Sequence, residues 1–69
     1  MPMTKFEAIE AMKDGEKVTH RFFENHEFVC IVKGDEEEYL FDDGARCSAK
    51  EFWKYRYSME WLSDWEIKI

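Results

Sequence analysis

His20, His26, Cys30, Cys47, Ser48 and Ser63 are among the side chains of this 69-residue chain whose types suit nucleophilic or acid–base chemistry. Their spacing assembles none of the usual groupings. A cysteine–histidine nucleophile needs a thiolate within hydrogen-bond reach of an imidazole and a third group to orient the ring. Here Cys30 falls in an expected core strand, Ser48 and Ser63 read as cap or turn residues, and both histidines read as half-exposed strand or turn residues. Metal ligation fares no better, because His20, His26, Cys30, Cys47 and the acidic run show none of the close ligand spacings of zinc sites. Asp42-Asp43-Gly44 is a fragment of a calcium loop without the alternating oxygen ligands or the distal glutamate, and reads as a tight turn. The glycines are solitary, so no phosphate-cradling loop is present. The expectation is a protein that is not an enzyme and holds no metal and no cofactor.

Binding residues are more prominent. Sixteen Asp and Glu against ten Lys and Arg leave a net charge of −6, which disfavours general affinity for nucleic acid or anionic membrane and favours a basic protein surface. Asp35, Glu36, Glu37, Glu38, Asp42 and Asp43 cluster on an expected hairpin. One reading is a charged edge that prevents strand-to-strand aggregation. The other is a row of carboxylates occupying arginine and lysine sites on a nucleic-acid-handling protein. Aromatic residues crowd the last third of the chain, with Phe52, Tyr55 and Met59 on one helical stripe and Trp53, Tyr57 and Trp61 on another. Both stripes cannot be buried in so small a domain. The second, beside Lys54 and Arg56, suits a self-association or partner contact, with a cleft for a planar ligand as the alternative.

These residues need elements to hold them. Thr4 with Glu7 has the spacing of a capping box, so a helix starts near residue 5. Phe6, Ile9 and Met12 form its apolar stripe, and Gly15 supplies the left-handed cap. The period then changes to two from Val18 to Phe23, and β-favouring runs follow at Phe28–Val32 and Tyr39–Phe41. Ser48 with Glu51 starts a second helix over Ala49 to about Tyr57, and Trp65, Ile67 and Ile69 alternate with Glu66 and Lys68. The order predicts an α+β fold in one domain over residues 1–69: a helix, a three-stranded antiparallel sheet, a second helix and a terminal strand, with the helices on one face. No apolar run reaches the roughly 20 residues a bilayer requires, and the N-terminus lacks the apolar stretch of a secretory signal. The expected location is therefore the cytosol of a host cell, with both cysteines reduced.

Phe6-Glu7-Ala8-Ile9-Glu10-Ala11-Met12-Lys13-Asp14-Gly15-Glu16-Lys17-Val18, followed by His20, Arg21 and Phe22, and the closing Asp64-Trp65-Glu66-Ile67, resemble small phage and prophage proteins related to the Thoeris anti-defence family. The resemblance implies a non-enzymatic inhibitor of bacterial immunity, which in some members sequesters a cyclic ADP-ribose signal at subunit interfaces and in other relatives blocks a CRISPR nuclease. By position it places Arg21 and Phe22 near such a pocket. The expected function is accordingly an acidic counter-defence inhibitor that occupies the basic surface of a host nuclease or other nucleic-acid-handling protein. Its contacts would be the six acidic residues above with Trp53, Tyr57 and Trp61 as apolar anchors. One alternative is a sponge in which Arg21, Phe22, Arg46 and Arg56 hold a nucleotide between subunits of a homo-oligomer. Another is a structural or regulatory phage accessory protein.

Overall fold

The computed structural model describes residues 2–34 and 36–69. Helix α1 spans Lys5–Lys13 and begins on a reciprocal capping box: the Thr4 hydroxyl accepts the Glu7 N–H at 3.1 Å, and the Glu7 carboxylate accepts the Thr4 N–H at 2.9 Å. It ends in paired bonds that satisfy its last carbonyls, from the Gly15 N–H to Met12 O and from the Glu16 N–H to Ala11 O. Gly15 sits at φ 94°, where a side chain would be strained.

Five strands form one antiparallel sheet: β1 (Val18–His20), β2 (Val29–Val32), β3 (Glu38–Phe41), β4 (Arg46–Ser48) and β5 (Trp65–Ile67), in the spatial order β4-β3-β2-β1-β5. The α+β class is as expected from the sequence, with one strand more. β4 follows a tight loop in which the Gly44 N–H donates to Phe41 O, Gly44 takes φ 90° and the Asp43 carboxylate accepts the Ala45 N–H. Arg-Cys-Ser is too short and too polar to show a strand period, and its pairing with β3 makes it a strand. The terminal strand pairs with β1, matching Val18 to Ile67, Thr19 to Glu66 and His20 to Trp65.

Helix α2 covers Ala49–Lys54, shorter than the reading to Tyr57. The chain leaves the helix at Tyr55, turns, and makes a short 3-10 helix at Met59–Leu62 before β5. This crossover carries the chain from one sheet edge to the other, so Trp53, Tyr57 and Trp61 do not share one helical stripe.

The register divides the sheet into two faces. Val18, His20, Val29, Tyr39 and Trp65 point to the side covered by the helices, α1 lying over β5, β1 and β2, and α2 over β4 and β3. With Ala8, Met12 and Phe52 these residues make up the buried core. Thr19, Cys30, Leu40 and Arg46 point to the opposite, uncovered side. Cys30 and Cys47 therefore lie on different faces and are free thiols, and burial pushes the Cys47 thiol up, against thiolate chemistry. Among the described residues no helix is long and apolar enough to cross a membrane.

Candidate functional site

Strand β1 ends at His20, whose side chain is 3 % exposed and is the buried polar residue of the core. It is thus a core histidine, in place of the half-exposed residue suggested by the sequence. Its Nδ1 accepts the Phe22 N–H at 3.1 Å, and its Nε2 lies 2.9 Å from Glu60 O and 2.8 Å from Ser63 O. Two carbonyl acceptors at Nε2 and a donor at Nδ1 assign the neutral ring protonated on Nε2. The ring stacks on Trp61 at 4.3 Å and meets Trp65 edge-on at 4.7 Å. His20 thereby fastens the end of the crossover to the end of β1.

That junction opens into a cleft of about 390 Å³ with Thr19, Arg21, Phe23, Asn25, Asp64, Glu66 and Lys68 among its lining residues. The Arg21 N–H donates to Asp64 O at 3.3 Å, and Arg21 Nε lies 3.5 Å from Asp64 Oδ2. Asp64 holds φ 68°, in the left-handed region that aspartate enters more readily than most non-glycine residues. The Lys68 ammonium donates to Asn25 O on the other wall. Phe22, half exposed, carries the Arg21 guanidinium 4.9 Å from its ring centroid and packs on Trp61 at 5.3 Å. Phe22 itself stands outside the cleft, whose lining combines two cations, three carboxylates with Glu24 included, the Phe23 ring and two neutral hydrogen-bonding side chains.

The acidic residues do not form one row. The register sets Val29 opposite Phe41 and Val32 opposite Glu38, so Asp42 and Asp43 lie at one end of β3, and Glu36 and Glu37 lead into the other. The four residues of β3 set Glu37 and Asp42 about 17 Å apart. Glu38 is half-buried and pairs with Arg46 at 3.6 Å; Asp35 lies outside the described residues. Asp42 and Asp43 instead join Glu24 and Glu27 of the β1–β2 loop around a groove of about 430 Å³ whose basic lining is His26 alone, 3.9 Å from Asp42. Glu24 and Glu27 are binding candidates that sequence reasoning missed, because only the antiparallel pairing of β2 and β3 brings their loop beside the Asp42–Asp43 turn.

The remaining candidates scatter. Trp53 is half-buried, donating from Nε1 to Tyr39 Oη at 3.0 Å, while Trp61 packs inward under His20 and only Tyr57 stands out in solvent, 82 % exposed. Arg46 belongs to the uncovered sheet face and Arg56 to the helical side, where its guanidinium lies 4.2 Å from the Phe52 centroid and 5.4 Å from that of Trp61. Arg21, Phe22, Arg46 and Arg56 therefore do not converge within one chain. Burial pushes the Arg56 guanidinium below its ordinary range, and the neighbouring Cys47 and Glu27 oppose that shift.

Among the described residues no group of three or more His, Cys, Asp or Glu side chains is placed to hold a metal ion. No protein-family model, curated protein or solved structure matches the chain.

Proposed function

We propose that this chain is a small non-enzymatic counter-defence protein of the phage or prophage kind that sequesters a small polar signal molecule, a cyclic nucleotide being the class suggested by its two end motifs. The observation that carries this reading is the β1–β5 cleft. It is walled by Arg21 and by Asp64, which belong to those two motifs and lie side by side there. In the bound state Arg21 and Lys68 take the anionic groups of the ligand, Phe23 offers its ring to a planar group, and Thr19, Asn25 and Glu66 pair with hydroxyl or amino groups. The carboxylates in the wall select for ligands with several donors and against simple phosphates.

Thermal unfolding against a panel of linear and cyclic nucleotides tests the reading. A true ligand at about a hundredfold its Kd adds about 2.7 kcal/mol, a rise in Tm of roughly 11–22 °C for a domain of this size. Arg21→Ala is expected to abolish most of that rise while leaving the unliganded Tm within a few degrees, since the Arg21 side chain is more than half exposed. No shift with any member of the panel would refute sequestration.

The groove of Glu24, Glu27, Asp42 and Asp43 favours a second reading, inhibition of a host nucleic-acid-handling protein through its arginine and lysine side chains. Replacing Asp42 and Asp43 by lysine is expected to abolish a salt-sensitive complex with such a protein while the domain stays folded. Replacing Glu36 and Glu37, at the far end of β3, should weaken it less. Equal losses from both pairs would return the contact to the whole hairpin.

A further inference from the structure

The crossover between α2 and β5 has its polarity inverted. A segment lying on a packed surface ordinarily turns its charged side chains to water and its apolar ones inward. Here the inward side chains are Trp61 and Arg56, the latter lying against Phe52 with its Nη1 donating to Phe52 O at 3.0 Å and its Nε buried without a partner. Tyr55, Tyr57, Met59 and Leu62 point outward, 69 %, 82 %, 81 % and 44 % exposed. A desolvated guanidinium with an unpaired N–H is costly, and it is kept inside while two tyrosines flanking it are left in water. Taking about 200 Å² for each large side chain when fully exposed, the four outward residues between them show on the order of 500 Å².

Charge selects the occupant. The molecule carries a net charge of −6, so a basic partner is drawn to the acidic ends of the sheet rather than to this segment. Arg56, turned inward, and Glu60 are the charged residues between Tyr55 and Ser63. The crossover is thus a nearly uncharged stretch on an acidic surface, where two copies of the chain meet with little like-charge repulsion.

We propose that the outward face of residues 55–62 is a self-association surface on which a second copy of this chain docks about a two-fold axis, Tyr55, Tyr57 and Met59 of each copy packing against the same residues of the other. A standard interface buries about 800 Å² on each partner. The four apolar residues supply its centre, and the rim comes from polar neighbours such as Lys54 and Ser58. The contact is isologous, so it closes at a dimer.

Sedimentation velocity on the full chain, from low-micromolar to sub-millimolar concentration and at two salt concentrations, tests this. The expected result is a monomer–dimer equilibrium that tightens or holds as salt rises, because salt screens the repulsion between acidic copies and leaves apolar contact intact. Changing both Tyr57 and Met59 to glutamate should weaken the dimer about a hundredfold or more, as loss of central contacts does in other interfaces, without lowering the Tm of the monomer. A parent chain that stays monomeric throughout, or a dimer that survives the double change, would overturn the proposal. So would a dimer that dissociates as salt rises, since that behaviour belongs to a contact between opposite charges.

Discussion

Trp65→Ala is expected to leave most of the chain unfolded at room temperature. Trp65 is fully buried in β5 and lies within 6.3 Å, centroid to centroid, of His20, Phe23, Phe52, Trp53 and Trp61. Its backbone bridges to Met3 and its indole N–H donates to Trp61 O at 2.8 Å. One residue thus joins the N-terminal segment, the crossover and strand β1. Truncating a buried aromatic costs about 3–5 kcal/mol, and a core of this size supplies about the same in total. Urea unfolding followed by circular dichroism is the check: a cooperative transition within about 1 kcal/mol of the parent would mean that the ring contributes far less than its burial implies.

His20→Phe is expected to destabilise by about 2–3 kcal/mol. The substitution keeps an aromatic ring in the box formed by Phe22, Phe23, Trp61 and Trp65, so stacking is largely preserved. It removes the partner of the Phe22 N–H and of the Glu60 and Ser63 carbonyls. Loss of hydrogen bonds rather than of volume then dominates the cost. Hydrogen exchange localises it: amides of the 3-10 helix and of residues 63–65 should lose protection before those of β2 and β3, which His20 does not touch. Uniform loss across the sheet, or unchanged stability, would show that the ring does not act as the fastening of the crossover.

These two residues also set the shape of the β1–β5 cleft. Trp65 holds β5 against β1, and His20 holds Ser63, so together they force the turn that leaves Asp64 at positive φ beside Arg21. The cleft is thus built on the most buried contacts of the molecule, the rigid support that a binding or catalytic constellation alike requires.

Much of the chain's local structure was legible in its residue order. The Thr4–Glu7 capping box, the glycine at the end of α1, the turn at Asp42–Gly44 and the Ser48 cap of α2 are each decided within a few residues. The α+β class followed from those signals and from the change of period after Gly15. What spacing could not supply is everything that depends on contacts between distant segments. Strand β4 exists because β3 accepts it, and β5 found its partner in β1, some forty-five residues away. The acidic residues divided because an antiparallel hairpin sends its two turns to opposite ends. His20 occupies an inward β1 position, where polar residues seldom sit, so only the carbonyls of Glu60 and Ser63, arriving over the same face, make its burial affordable. Arg56 turned inward for a similar reason: α2 stopped at Lys54, and the changed direction of the chain pointed its guanidinium at Phe52 and the tyrosines beside it at water. Caps and turns are short-range balances of hydrogen bonds that a sequence determines by itself, whereas burial, pairing and the convergence of a site are settled by which distant surfaces meet, and that is a property of the fold alone.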